Sequence, residues 1–380
     1  MLFRLAFLLV AGLGGLTGQD VILDPQSSIK FDLPANAPVA LLSANMGDES
    51  RATARGSATV VDLHMALSLR NATNKRISGI TLLVTAQEFA PGGKGSVATP
   101  SLSVGPGEAF PMRVDLQLLR PAQMTSGPLV HVTVDGVLFN DLSFYGPNRL
   151  ESRRSLTAWE LEARRDRQHF KSILAAQGQD GLQREALVSL GRQSWRPRLN
   201  VAVSRGRSVT SAAPGAEHAA QFAFLQFPDS PVEPLEGWAM IAGNEVRAPR
   251  IEVRNRSDKP VRYVEIGWVV TERGGKQFMA GSVPASDPEL YLPPGRTGRV
   301  LQDTTLRLTH NAGQPVVIEG MAGFVSQVEF ADGKVWVPDR KNLIGASLLN
   351  VVAPSPEEQR LTELYRKKGL AALVAELNRF

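Results

Sequence analysis

Two short stretches decide how this chain is read: "VRNRSDKPV" at residues 253–261 and "LRNATNKRI" at residues 69–77. Arg254, Asn255 and Lys259 repeat Arg70, Asn71 and Lys75 at one offset (254 − 70 = 184), with apolar residues on either side. Downstream, Ile80, Leu82 and Val84 alternate with other residues, as do Val264, Ile266, Trp268 and Val270. A period of two marks a strand with one buried face. Gly92-Gly93-Lys94 is answered by Gly274-Gly275-Lys276, and Pro106-Gly107 by Pro294-Gly295. Each copy closes on a hairpin, "FNDLSFYGPN" (139–148) and "FADGKVWVPD" (330–339), in which Phe, Asp and Pro coincide. There Tyr145 matches Trp336 and Asn148 matches Asp339. Asn140-Asp141 and Asp332-Gly333 are the residue types of two-residue type I′ turns, which need positive φ. Asn71-Ala-Thr73 and Asn255-Arg-Ser257 fit the glycosylation pattern, but their matched placement reads as turn chemistry, with Asn and Ser/Thr bonding nearby backbone.

The matches keep their order, so the chain contains a duplication. Each copy spans about 110 residues of short strands, with turn signals roughly every ten, as in an immunoglobulin or fibronectin type III sandwich. In this pattern the chain resembles bacterial exported proteins with tandem Ig-like domains. The expected fold is mainly β: two tandem Ig-like β-sandwiches joined by a helical connector, with a C-terminal helical tail.

The flanking segments fill in the organisation. "MLFRLAFLLVAGLGGLTGQD" has a short positive start at Arg4, an apolar stretch from Leu5 to about Leu13, and small residues at Gly15 and Thr17. This is a secretory signal pattern over 1–18, too short to span a bilayer. Among 380 residues there is no cysteine, so an exported chain must rely on its core, which suits a bacterial envelope protein. The expected domains are 19–148 (sandwich 1), 149–191 (helical connector), 192–217 (Arg-rich linker), 218–353 (sandwich 2) and 354–380 (helical tail). In the connector, Trp159, Ala163, Phe170, Ile173 and Leu174 share one helical stripe, and a second helical run follows a break at 178–181. In the tail, Ser355 is an N-cap, Pro356 fits N1, Glu358 completes a capping box, and Gly369 interrupts the apolar face.

Residues 149–207 hold 13 basic and 6 acidic side chains, +7, against 42 − 37 = +5 for the whole chain. The excess positive charge therefore sits in this segment. Within it, Arg192, Arg196, Arg198, Arg205 and Arg207 sit in a stretch, 192–207, with no acidic residue, which makes them the candidate contact for an anionic lipid or glycan. The five histidines show no metal-ligand spacing, and no nucleophile elbow, Walker or Rossmann pattern occurs. No catalytic, cofactor-binding or metal residues are assigned. The expected function is a non-enzymatic binding or scaffold protein of the cell envelope, periplasmic or extracellular, with a protein or polysaccharide partner and no nucleic acid. The alternatives are an assembly factor or chaperone using a β-edge, and a hydrolase with an inter-domain site.

Overall fold

The computed structural model describes residues 20–89, 91–122, 127–194, 199–205, 217–284, 290–301, 304–310 and 313–380. It is mainly β, with a long helix in mid-chain and another at the C-terminus. Two compact units emerge: one from residues up to Thr99 and Val104–Arg149, the other from Pro100–Ser103 and Leu150–Phe380.

The first unit holds β1 (Asp20–Ile22), β2 (Ile29–Asp32), β3 (Val39–Met46), β4 (Arg51–Arg55) and β5 (Ala58–Asn71). It continues with β6 (Ile77–Thr85), β7 (Lys94–Thr99), β8 (Ala109–Pro121), β9 (Val130–Phe139) and β10 (Phe144–Tyr145). The second unit opens with helix α1 (Ser152–Ser194) and continues with β11 (Asn200–Arg205), β12 (His218–Gln221), β13 (Ala223–Leu225), β14 (Val232–Ala242) and β15 (Glu245–Asn255). Then come β16 (Val261–Glu272), β17 (Gln277–Pro284), β18 (Thr297–Leu301), β19 (Thr304–Thr309), β20 (Ile318–Phe330) and β21 (Val335–Trp336). Helices α2 (Arg340–Gly345) and α3 (Pro356–Leu377) end the chain.

The two units share one topology. In one sheet, β5 pairs β3, β4 and β8; β15 pairs β14, which takes the places of both β3 and β4, and β18 and β19, which together take the place of β8. In the other, β6 lies between β7 and β9, as β16 lies between β17 and β20. The edges agree too. β1 runs antiparallel on β4 and β12 on β14, while β2 runs parallel on β9 and β13 on β20. Among the described strands, β11 alone has no counterpart; it extends the first sheet of the second unit alongside β19.

The repeated turn is a knot. The Asn71 amide donates to the carbonyls of Lys75 (2.8 Å), Val104 (3.1 Å) and Gly105 (3.1 Å), and its oxygen accepts from Thr73 N (3.0 Å) and Oγ1 (2.8 Å). Asn255 donates to Lys259 O (2.8 Å) and Leu292 O (2.9 Å) and accepts from Ser257 N (2.9 Å) and Oγ (2.7 Å). Each Asn also bonds the Pro-Gly turn through its own backbone: Gly107 N to Asn71 O and Gly295 N to Asn255 O, both 3.0 Å. Lys75 Nζ then reaches Asp141 Oδ2 (2.7 Å), and Lys259 Nζ reaches Asp332 Oδ2 (2.6 Å). Three loops far apart in sequence are thus tied together by one Asn and one Lys. Both Asn side chains are buried, at 1% and 0% exposure, so neither glycosylation pattern is open in the folded chain.

Two local expectations are corrected. The closing hairpins are not two-residue type I′ turns. In each, only the third loop residue has positive φ, Leu142 (62°) and Gly333 (78°), and Leu142 N and Gly333 N bond back to Phe139 O and Phe330 O. This is a three-residue loop, a turn followed by a left-handed residue, which relieves the Asn and Asp of positive φ. Nor is β16 buried on one face only. Val264, Ile266, Trp268 and Val270 all point into the main core at 0% exposure. On the opposite face Val269 packs in a second cluster with Phe227, Phe324, Leu343 and Leu348, because α2 and the turn after it cover that side of the sheet.

The helices are hairpins. Gly178 in α1 and Gly369 in α3 leave the helical region (φ 67° and 81°). His169 Nε2 lies 3.0 Å from Glu185 Oε1, and Arg360 Nη1 donates to Glu376 Oε1 at 2.7 Å; each pair is sixteen residues apart. Sixteen residues of straight helix would span roughly 24 Å, so both chains fold back at the glycine. The hairpins pack on each other through Phe170, Leu182 and Ala186 against Leu361, Leu373 and Leu377, all fully buried. These six are three equivalent pairs (361 − 170 = 373 − 182 = 377 − 186 = 191), and the glycines share the offset (369 − 178 = 191). It is also the offset of the closing hairpins (330 − 139 = 191). The duplicated unit is therefore a pair of sheets followed by a helical hairpin, and the connector and the tail are two copies of one element.

Candidate functional site

Beneath the helical hairpins lies a layer of buried charge. Asp166, Glu160, Glu357 and Glu358 are all under 5% exposed, and each meets guanidinium groups. Arg340, itself buried, is the hub: it donates to Asp166, Glu185 and Glu358, each at 3.3 Å. Arg167 bridges Glu160 (3.0 Å) and Glu357 (3.3 Å), and Arg165 forks onto Asp166 (3.0 and 3.2 Å). Burial pushes the Asp166 carboxyl up, but Arg165, Ser355 and Arg340 outweigh it and hold it below its ordinary value. The same balance depresses Glu185, where burial is opposed by His169, Arg192 and Arg340. Ser355 caps α3, accepting from Glu358 N at 3.0 Å. The Glu358 carboxylate does not turn back to complete a capping box; it accepts from Ser189 (2.5 Å), Arg192 (3.0 Å) and Arg340. Removing one partner of ion pairs this deep would leave an uncompensated buried charge.

Above this layer, α1 and the corner from β21 into α2 enclose a groove of about 620 Å³. Its floor is apolar: Leu161, Trp336, Val337 and the half-exposed Ile344. Its rim carries Arg164, Gln168, His169 and Ser172 from α1 and Lys341 from α2, with Arg165 and Arg340 at its base. Leu161, Arg164, Arg165, Gln168 and Ser172 are spaced three and four apart, so one helical face presents them all. Arg165 also donates to Pro338 O (3.0 Å), and Asp339 caps α2 by accepting from Asn342 N (2.7 Å), which fixes the opposite wall. Ser172 and His169 share the groove, but the Ser172 hydroxyl donates to His169 O (2.7 Å), and the imidazole faces Glu185. The serine hydroxyl is thus directed to the backbone carbonyl and not to the ring.

A second group of perturbed residues lies between α1 and the second unit's sheet. Tyr263 donates to Glu265 Oε2 (2.8 Å), and Arg154 stacks 3.8 Å from the Tyr263 ring while pairing with buried Glu329 (3.4 Å). Burial raises both Tyr263 and Glu265. Burial also pushes Glu162 up to about 7, against the pull of Arg165 and with a further push from Asp166 and Glu265. Among the described residues no three or more His, Asp or Glu side chains are grouped to hold a metal ion.

The basic stretch singled out in the sequence divides. Arg192 is not free of acidic partners: it lies in the last turn of α1 and pairs with Glu185 (3.6 Å), two turns earlier on the same helix, and with Glu358 (3.0 Å), which reaches it through the fold. Arg205 ends β11, opposite Thr304, so part of the expected linker is strand. Arg196, Arg198 and Arg207 lie outside the described residues. Sequence reasoning missed the groove because its two walls are about 170 residues apart. The available signal was a second, mixed basic–apolar stripe on α1 opposite the core-facing one.

No protein-family model matches the chain, and no curated protein matches it. Among solved structures, a red sea bream transglutaminase is 7% identical, with 79% of this chain and 31% of that one covered and a TM-score of 0.13. A β-glucosidase from Kluyveromyces marxianus is 10% identical, with 74% and 45% covered and a TM-score of 0.16. The chain thus spans less than half the length of either structure, and at these scores neither carries an argument about it.

Proposed function

We propose that the chain is a non-enzymatic binding or scaffold protein of the bacterial cell envelope. In this reading it is exported by its N-terminal segment and built on two sandwiches of immunoglobulin or fibronectin type III kind. The sandwich assignment is supported by the paired sheets, in which β5 and β15 pair three strands each and β6 and β16 are central. Export rests on the sequence pattern of 1–18; among the described residues no helix is long and apolar enough to cross a membrane. The observation that carries the binding reading is the groove of about 620 Å³, with its apolar floor and cationic rim. Such a site takes an extended, acidic and partly apolar segment of a protein partner: carboxylates meet Arg164 and Lys341, and an aliphatic side chain meets Trp336 and Ile344. The basic stretch of Arg196, Arg198, Arg205 and Arg207 would add a salt-sensitive contact for anionic lipid or glycan, on the order of 1 kcal/mol per residue.

The test is calorimetric titration with a ten-residue peptide of alternating Glu and Leu, at low and physiological salt. Binding should weaken at least tenfold in the double variant Arg164→Glu/Lys341→Glu and should fall with salt. Equal affinity in both proteins would remove the groove from the account. Hydrolysis of any ester or peptide probe, lost in His169→Ala, would favour the hydrolase reading.

A further inference from the structure

The duplication separates what the fold requires from what differs between the copies. A position held for structural reasons keeps its character in both copies, as the knot residues do. An exposed position that differs is under no such constraint, and one small patch differs sharply. In the first unit, β3 and β5 place Asn45 opposite Ala66 and Ser43 opposite Ser68. At the equivalent ladder positions (66 + 184 = 250; 68 + 184 = 252), the second unit places Trp238 opposite Arg250 and Glu236 opposite Glu252. Four small or neutral side chains have become an indole, a guanidinium and two carboxylates on the outer face of one sheet.

Trp238 is 41% exposed, whereas Trp268 in the core is fully buried. Glu236 and Glu252 lie directly opposite one another and repel, with Arg299 opposite Glu252 on its other side in β18. No hydrogen bond or ion pair among the described residues engages the side chain of Glu236 or Glu252. What the patch has is geometry. The Arg250 guanidinium sits 5.0 Å from the Trp238 ring, steadying the indole against the sheet. On the neighbouring strand β12, Gln221 is opposite Trp238, while Ala219 and Ala220 leave open a cleft of about 300 Å³ beside the ring.

We infer that this patch is a glycan-binding platform, independent of the groove. A pyranose ring has one flat face of C–H bonds and a perimeter of hydroxyl groups. The exposed indole takes the flat face, and the uncommitted carboxylates of Glu236 and Glu252, with the Gln221 amide, take the perimeter hydroxyls. Trp238 is flanked by the charged Glu236 and Arg250 and the Gln221 amide, with only the small Ala219 and Ala220 as apolar neighbours in the cleft, which suits hydroxyl groups better than a dry protein contact. The occupant is therefore a polysaccharide of neutral pyranose units.

The experiment is titration of the full chain with three hexasaccharides: β-1,4-linked glucose, β-1,4-linked N-acetylglucosamine and β-1,4-linked mannose. At least one should bind and shift the tryptophan fluorescence. Trp238→Ala should weaken that binding at least tenfold and Glu236→Gln/Glu252→Gln at least threefold, while Trp336→Phe in the groove leaves it unchanged. Circular dichroism confirms that each variant is folded, since all these positions except Trp336 are on the outer face. No binding to any of the three, or binding that survives Trp238→Ala, overturns the inference. Loss in Trp336→Phe alone would place the sugar in the groove and overturns it equally. Failure here leaves the peptide titration of the groove untouched, so the two readings fail separately.

Discussion

The two copies differ least where loops are tied together and most where helices are charged. Asn71 and Asn255 make nearly the same bonds, as do Lys75 and Lys259, because three loops must close on one point in either unit. Arg149 and Arg340 occupy the same place after the closing hairpin (340 − 149 = 191), yet Arg149 is exposed while Arg340 is the buried hub for three carboxylates. Equivalent position therefore conserves backbone geometry, and the surroundings decide what the side chain does. This contrast gives the largest predicted effect. Arg340→Ala leaves Asp166, Glu185 and Glu358 without their shared partner and should cost about 3–5 kcal/mol, whereas Arg149→Ala should cost less than about 0.5 kcal/mol. Chemical denaturation of both variants checks it, and similar losses would break the contrast.

The knots should behave alike. Asn71→Ala and Asn255→Ala each strand buried carbonyls and should each cost about 2–4 kcal/mol. Calorimetry should show one transition moving in each variant, a different one in each, if the two units unfold separately. A knot that can be removed from one unit without loss would mean that its copy is there by descent alone.

The third prediction concerns pH. The Glu162 carboxyl is raised to about 7 in the folded chain, above its unfolded value near 4.5. The folded state then holds the proton more tightly, so this group favours folding at low pH, and that contribution is lost as pH rises toward 7. Glu162→Gln keeps the shape without the charge. It should stabilise the protein at pH 8 by on the order of 2 kcal/mol and flatten the fall in melting temperature between pH 5 and 7. A melting curve with the same pH slope as wild type would show that Glu162 is ordinarily ionised.

The smallest effect again uses one copy to correct the other. Leu142 has positive φ where the second copy has Gly333. Leu142→Gly should gain about 0.5–1 kcal/mol, the relief of a left-handed side chain being partly offset by unfolded-state entropy. A net loss would mean that the packing of Leu142 outweighs its backbone strain.

The two β units were legible in the sequence because turns constrain residue identity: Asn for the knot, Pro-Gly for the docked turn, Lys and Asp for the clamp. The helical hairpins were legible as helices but not as copies. Packing asks only for apolar residues, so Phe170 could become Leu361 and Ala186 could become Leu377 with nothing but a shared glycine to mark the match. The groove was less legible still. Arg164 and Arg165 read as a solvated face until Trp336 and Lys341 are brought opposite them. Pairing also defeated the reading of Arg192, because Glu358 is close in space and 166 residues away in sequence.

One unit, two sheets and a folded-back hairpin, is written twice. The chain has no cysteine, so introduced pairs report cleanly. Two double variants, His169→Cys/Glu185→Cys and Arg360→Cys/Glu376→Cys, would be treated with a thiol crosslinker spanning roughly 10 Å, against the roughly 24 Å that sixteen residues of straight helix impose. If the hairpin is duplicated, both pairs close within the monomer, in comparable yield. Closure of neither, or of only one, would contradict it.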